Sequence, residues 1–250
     1  MPQIDLNKYP TLVPKKVLLY GKPGTGKTTA SKYLPGKTYM LSFDNSFRYI
    51  PEWQNNGNIW IIDGNDPLHD LLNFTRWFIQ GRNYQRYQSL VVDNITSYQD
   101  AWFGQAAKNS RDGLTVQIQY YNEYNILMKR FFATLTQLPL NILYTAWSED
   151  KAIKDRDGND ITRIQPSMRP TVRDFLEGSC DMVGYIRVMP DGKRAVYLSG
   201  TETLDAKNRL DNRKGCWIED LFKTPQPQQP KPQSEHKMTQ PESQSEKRAE

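Results

Sequence analysis

Residues 21–28 read GKPGTGKT and lie between the apolar run VLLYG (17–21) and a stretch, Lys27 to Leu34, of helical character. Gly21, Gly24 and Gly26 free the backbone to turn so that successive N–H groups face inward, which makes a cradle for an anion. The spacing G-x-x-x-x-G-K-[ST] is met by Gly21, Gly26, Lys27 and Thr28, in the strand–loop–helix context that a phosphate-binding loop requires. Gly21, Lys22, Pro23, Gly24, Thr25, Gly26, Lys27, Thr28 and Thr29 are therefore expected to line the phosphates of ATP. Lys27 supplies a point charge to the β- and γ-phosphates, Thr28 a hydroxyl to Mg2+, and the following helix its positive end.

The remaining apolar runs are TYMLSFD (38–44), NIWIID (58–63), SLVVDN (89–94) and NILYTAW (141–147). Leu68 to Gln80, Ser97 to Lys108 and Val116 to Leu138 alternate with them and read as helices. In the last, Tyr121, Met128, Phe131, Phe132, Leu135 and Leu138 recur at helical spacing as a core stripe. Strand and helix in alternation predict an α/β fold, a mainly parallel central sheet with helices on both faces. After Trp147 two hairpins are expected, turning at DRDGND (155–160) and at Pro190, Asp191 and Gly192, so that antiparallel strands extend the core at its C-terminal end.

This pattern fills residues 15–222, behind an N-terminal segment 1–14. From 223 to 250 the chain is rich in Pro, Gln, Ser and charge, with Met238 its only sizeable apolar side chain, and is expected to be a disordered tail. The 250 residues are 37% hydrophobic, but 6 Trp, 14 Tyr and 9 Phe supply large buried areas. Two cysteines, Cys180 and Cys216, and two histidines, His69 and His236, leave no metal-ligand spacing and no imidazole chemistry. Without an apolar leader or a span of 18 apolar residues, a cytoplasmic protein without a membrane partner is expected. The net charge of +5 suits contact with a polyanion.

A second Mg2+ anchor is usually an aspartate ending an apolar strand that lies beside the first, and Asp93 in SLVVDN fits. Capping of the next helix is its alternative role. Hydrolysis further needs a carboxylate to orient or deprotonate water. The position after Asp93 holds Asn94, so Asp44, ending the strand that follows the loop helix, is the candidate. Glu149 and Asp150 stand in reserve.

The motifs YGKPGTGKTT, LSFDNS, SLVVDNI, LYTAWSED, SCDMVGYIRV and a late AKNRLD, in this order, resemble the phage RecA-like P-loop proteins. These form an AAA-type ATPase group in which some members are single-strand annealing recombinases. The resemblance implies that Lys207 and Arg209 act in trans on a neighbour's γ-phosphate, within a homo-oligomeric ring or filament. It implies single-stranded DNA as partner, in recombination, annealing or replication, and a single-strand-binding protein as a further partner. Asp44 stands where the family more often has Glu, and Trp147 where a polar sensor is common, which implies weak or DNA-stimulated ATPase activity.

By the same resemblance the loops Gly104 to Gln117 and Ser148 to Pro170 face the DNA, with Lys108, Arg111, Lys151, Lys154, Arg156, Arg163 and Arg169 diluted by Asp and Glu. GRNYQRYQ (81–88) interleaves Arg and Tyr as a base-stacking surface does, yet its place before SLVVDN suits a connector. Two other functions fit the residues. One is a nucleotide-gated loader or scaffold with little hydrolysis, kept open by Asn94 and Asp44. The other is a P-loop kinase whose lid would use Arg163, Arg169 and Arg173.

Overall fold

A computed structural model describes residues 14–54 and 57–223, so the sequence-predicted tail beyond Lys223 and most of the N-terminal segment lie outside the described residues. The first strand, β1 (Lys16–Gly21), is buried along its whole length. Val17 and Leu19 face one core cluster, and Leu18 and Tyr20 the other. A continuous apolar run of this kind fits only a strand covered on both faces, as in a parallel sheet.

Six parallel strands follow the order β7 (Met182–Val188), β1, β5 (Asn141–Lys154), β4 (Ser89–Asp93), β2 (Thr38–Ser42) and β3 (Ile59–Ile61). The expected α/β fold with a mostly parallel central sheet is what forms. The strand ending at Asp93 does not lie beside β1, however. β5 is inserted between them, pairing with β1 from Lys16↔Ile142 to Gly21↔Trp147 and with β4 from Ser89↔Asn141 to Val92↔Tyr144.

Both expected hairpins form. The outer half of β5 pairs antiparallel with β6 (Asp160–Pro166), from Ser148↔Pro166 to Lys154↔Asp160. β7 pairs with β8 (Arg194–Tyr197) across the turn at Gly192, whose φ of 81° suits glycine. β7 thus serves both as a parallel neighbour of β1 and as the first antiparallel strand. β9 (Lys207–Asn208) pairs with the start of β7, and β10 (Gly215–Trp217) extends β8.

The helices are distributed unevenly. α1 (Pro51–Gln54) is a single turn. α2 (Pro67–Phe74, continued by a π-helical segment Thr75–Gln80), α3 (Ile95–Lys108), α4 (Ile118–Thr136) and α5 (Pro170–Ser179) send Leu71, Phe74, Phe78, Tyr98, Tyr124, Phe132 and Leu176 into the cluster with Leu18 and Tyr20. The opposite face, with Val17 and Leu19, is closed by Ala30, Leu34, Trp53, Ile218 and Phe222. The segment after the glycine loop is a six-residue 3-10 helix, Thr28–Tyr33, rather than the expected α-helix over 27–34. Trp53 Nε1 donates to Ser31 Oγ at 2.8 Å and Lys32 pairs with Glu52 at 2.9 Å, which tie α1 to that short helix.

The Arg/Tyr stretch at 81–88 is a connector. Tyr87 is buried at 7% exposure against Tyr39, and its hydroxyl donates to Asn58 Oδ1 at 3.1 Å. Its ring is therefore core and unavailable for stacking on a base. Among the described residues no helix is long and apolar enough to cross a membrane.

Candidate functional site

The glycine loop leaves β1 at Gly21, at the carboxyl end of the parallel strands. Lys22, Pro23 and Gly24 form its exposed crest, and Thr25 closes the turn by donating its hydroxyl to Lys22 O at 2.8 Å. Gly24 and Gly26 have φ of 78° and 97°, the left-handed region where a side chain is strained. Lys27 turns back under the loop and donates to the carbonyls of Gly21 and Lys22, both at 2.9 Å. Its burial, to 6% exposure, lowers the ammonium to about 8 against the opposing pull of Asp93 and Asp44. A cation held in a low-dielectric seat with only carbonyl partners is suited to phosphate oxygens. Thr29 is half-buried in the first turn of the 3-10 helix.

Asp93 ends β4 on the face of the sheet that carries the loop. Its neighbour two residues back, Val91, shares a cluster with Leu19 and Leu143. Three hydroxyls converge on its carboxylate. Thr28 Oγ1 donates to Oδ2 at 2.9 Å, Ser46 Oγ donates to the same oxygen at 2.7 Å, and Thr145 Oγ1 donates to Oδ1. The Thr28 and Ser46 hydroxyl oxygens are themselves 2.9 Å apart. Burial, and next the charge of Asp44, raise the Asp93 carboxyl above the usual carboxylate range, while the hydroxyl hydrogen bonds act against that rise.

Thr28, Ser46 and Asp93 form an all-oxygen set of the type that hard divalent cations prefer. Among the described residues no three His, Cys, Asp or Glu side chains are grouped as a metal site. A cation here would complete its shell with phosphate oxygens and water, which is how Mg2+ is commonly held beside a nucleotide. Helix capping falls to Asn94 rather than Asp93, since Asn94 Oδ1 accepts from Thr96 N at 3.1 Å. Asn94 is thereby turned into α3 and buried.

Asp44 follows β2 at the same end of the sheet, half-exposed, where its charge reaches both Lys27 and Asp93. It also holds a turn, accepting from Ser46 N at 2.9 Å. Glu149, two residues past Trp147, accepts from Gln165 Nε2 at 2.5 Å and Ser167 Oγ at 3.3 Å. Trp147 stands beside Gly21, and the polar residue of that strand that reaches the site is Thr145. Ser46 and Thr145 went unrecognised in the sequence. Thr145 had a signal, as the one aliphatic hydroxyl in NILYTAW, whereas Ser46 sits in an ordinary turn sequence.

Lys207 and Arg209 lie elsewhere. Lys207 pairs with Val183 at the start of β7, and Met182 beside it pairs with Val17 near the start of β1, the end opposite to Gly21. Lys207 Nζ donates to Glu177 O, while Arg209 is exposed. Neither reaches the loop of its own chain.

Four of the seven cations on the two sequence-predicted DNA-facing segments have partners within the chain. Lys154 pairs with Asp160 at 2.8 Å, Arg156 with Glu202 at 3.8 Å and Arg163 with Asp205 at 2.6 Å, and Arg169 stacks 4.6 Å over Tyr121. The segments are also more regular than loops. α3 continues to Lys108, and Ser148–Pro166 is mostly hairpin.

No curated protein matches the chain. Residues 13–210, which carry the glycine loop, Asp93 and the parallel sheet, match the family described as AAA domain. The chain therefore belongs to the AAA-domain family of P-loop ATPases.

Proposed function

We propose that this chain is an Mg2+-dependent ATPase that works on single-stranded DNA as a RecA-like homo-oligomer, in phage recombination, annealing or replication. The observation that carries the ATPase part is the convergence of Thr28, Ser46 and Thr145 on buried Asp93 beside the Lys27 loop. Hydrolysis adds water across the terminal P–O bond, releasing ADP and inorganic phosphate. Lys27 exchanges its two carbonyl partners for phosphate oxygens and offsets the charge that develops there. Thr28, Ser46 and Asp93 would hold Mg2+, which would neutralise charge on the phosphate oxygens. Asp44, half-exposed and close enough for its charge to act on Lys27 and Asp93, takes the role of orienting water and accepting its proton.

Oligomer and DNA rest on the RecA-like resemblance together with two supporting features. Arg209 is exposed at the end of the sheet away from its own loop, as a residue serving a neighbour would be. The net charge of +5, with Lys108, Arg111 and Lys151 on the two DNA-facing segments, favours a polyanion. A kinase lid is disfavoured, because Arg163, Arg169 and Arg173 are engaged with Asp205, Tyr121 and Asp174. The loader reading keeps one observation of its own. Asn94 is committed to capping α3, so no carboxylate follows Asp93.

ATP turnover with and without single-stranded DNA tests the proposal. Turnover that rises with DNA supports the ATPase, and tight ATP binding with negligible turnover under both conditions transfers the function to the loader.

A further inference from the structure

The glycine loop is flanked on the β7 side by its own chain. A Cβ on Gly21 would fall 2.7 Å from Ile186 O, so β7 is packed directly against the start of the loop. A Cβ on Gly26 would fall 2.3 Å from Arg194 Nε and 2.5 Å from its Cδ. Arg194 opens β8, opposite Val188, and shares a strand face with Val196, which packs in the cluster of Leu19 and Ala30. Its side chain therefore crosses from the β8 edge onto the loop. Gly26 suits its φ of 97°, and a side chain there would have to displace the arginine side chain.

Among the described residues Arg194 forms no ion pair, and its Nε is buried without a hydrogen-bond partner. A buried donor without a partner is destabilising, so a partner is expected to come from outside the chain. A guanidinium is a planar fork matched to phosphate oxygens. The direction of approach indicates which phosphates. Asp93, Ser46 and Thr145 lie on the β5 and β4 side of β1, and Arg194 comes from the β7 and β8 side. A polyphosphate with its terminal group at the metal side presents its inner phosphates to Arg194.

We propose that Arg194 is a nucleotide-binding residue acting in cis, its guanidinium contacting the α- and β-phosphates common to nucleoside di- and triphosphates. This rests on the nucleotide-binding part of the function proposed above.

Fluorescence titration of the full chain with methylanthraniloyl-ADP and methylanthraniloyl-ATP, with thermal melting of the nucleotide-free protein, tests it. Arg194→Gln is expected to weaken ADP and ATP alike by about tenfold or more, with Arg194→Lys in between and the nucleotide-free melting temperature not lowered. Unchanged or tighter binding overturns the assignment. So does a loss confined to ATP, which would put the contact on the γ-phosphate, and so does a loss matched by lower nucleotide-free stability that Arg194→Lys fails to relieve. If the unsubstituted chain binds neither nucleotide, this assignment falls together with the nucleotide reading. If it binds both, and Lys27→Ala loses binding while Arg194→Gln keeps it, only the role of Arg194 falls.

Discussion

The Lys27 ammonium rests on two backbone carbonyls, Gly21 O and Lys22 O, inside a seat that depresses its basicity. Replacing it with alanine removes the only buried cation of the loop and leaves the exposed crest free to fold. Lys27→Ala is expected to weaken ATP and ADP by about a hundredfold or more, with melting of the nucleotide-free protein close to unchanged; calorimetric titration checks this. Asp93 depends on its neighbours in the opposite sense, as a buried carboxylate held by three hydroxyl donors. Thr145→Val keeps shape and removes one donor. It should destabilise the fold by about 1–3 kcal/mol and raise the Mg2+ concentration needed for nucleotide binding, and Thr145→Ser should restore both. A Mg2+ titration that Thr145→Val does not move would take Thr145 out of the site.

Among the elements, α5 is joined to the β9 segment by a half-buried cluster, with Lys207 Nζ donating to Glu177 O. Glu177 is pushed up to about 7 by burial and then by Asp205, against the pull of Arg173 and Lys207. Its pKa is raised on folding, so between about 4.5 and 7 the folded chain holds a proton that the unfolded chain releases. Stability therefore falls as pH rises through that window, and the whole penalty is present above it. Glu177→Gln should stabilise the protein at pH 8 by roughly 1 kcal/mol, a rise of about 2–4 °C in Tm, and have no effect at pH 4. Melting curves across that range decide it, and an equal shift at both pH values would rule out the titration of Glu177 as the cause. α5 was not legible in the sequence, because ten residues with only Val172 and Leu176 buried give too short a stripe. β1 and β4 were legible because parallel strands covered on both faces read as unbroken apolar runs. The outer half of β5 was legible only as an arm of the hairpin turning at 155–160 and not as a continuation of the NILYTAW strand, since SEDKAIK is charged and gains its order from pairing with β6. Of the site, the loop and Asp93 could be read from spacing. Ser46, Thr145 and Arg194 come to it from three other strands or turns that only the fold brings together.

For the whole molecule, the separation of Lys207 and Arg209 from their own loop makes assembly testable. If they complete a neighbour's site, turnover per subunit should rise with protein concentration and with DNA that aligns subunits. Lys207→Ala/Arg209→Ala should then lower turnover by a factor on the order of a hundred or more while ATP affinity stays put. Mixing it with Lys27→Ala should recover activity, because a mixed interface pairs an intact loop with intact cations. No recovery in a mixture shown to co-assemble counts against the trans role. The insertion of β5 has a further consequence, for how such a chain can change in length. Its inner half is paired on both edges, with β1 and with β4, and carries Thr145 into the site. One residue gained or lost there would turn every following side chain to the opposite face and break two registers at once. The Asp155–Asn159 tip, where Gly158 has φ of 87° and Asp155 N donates to Asn159 O at 2.9 Å, is bound by no such constraint. Insertions and deletions along this strand should therefore survive only at that tip, beyond Lys154, leaving the stretch from Asn141 to Glu149 of fixed length.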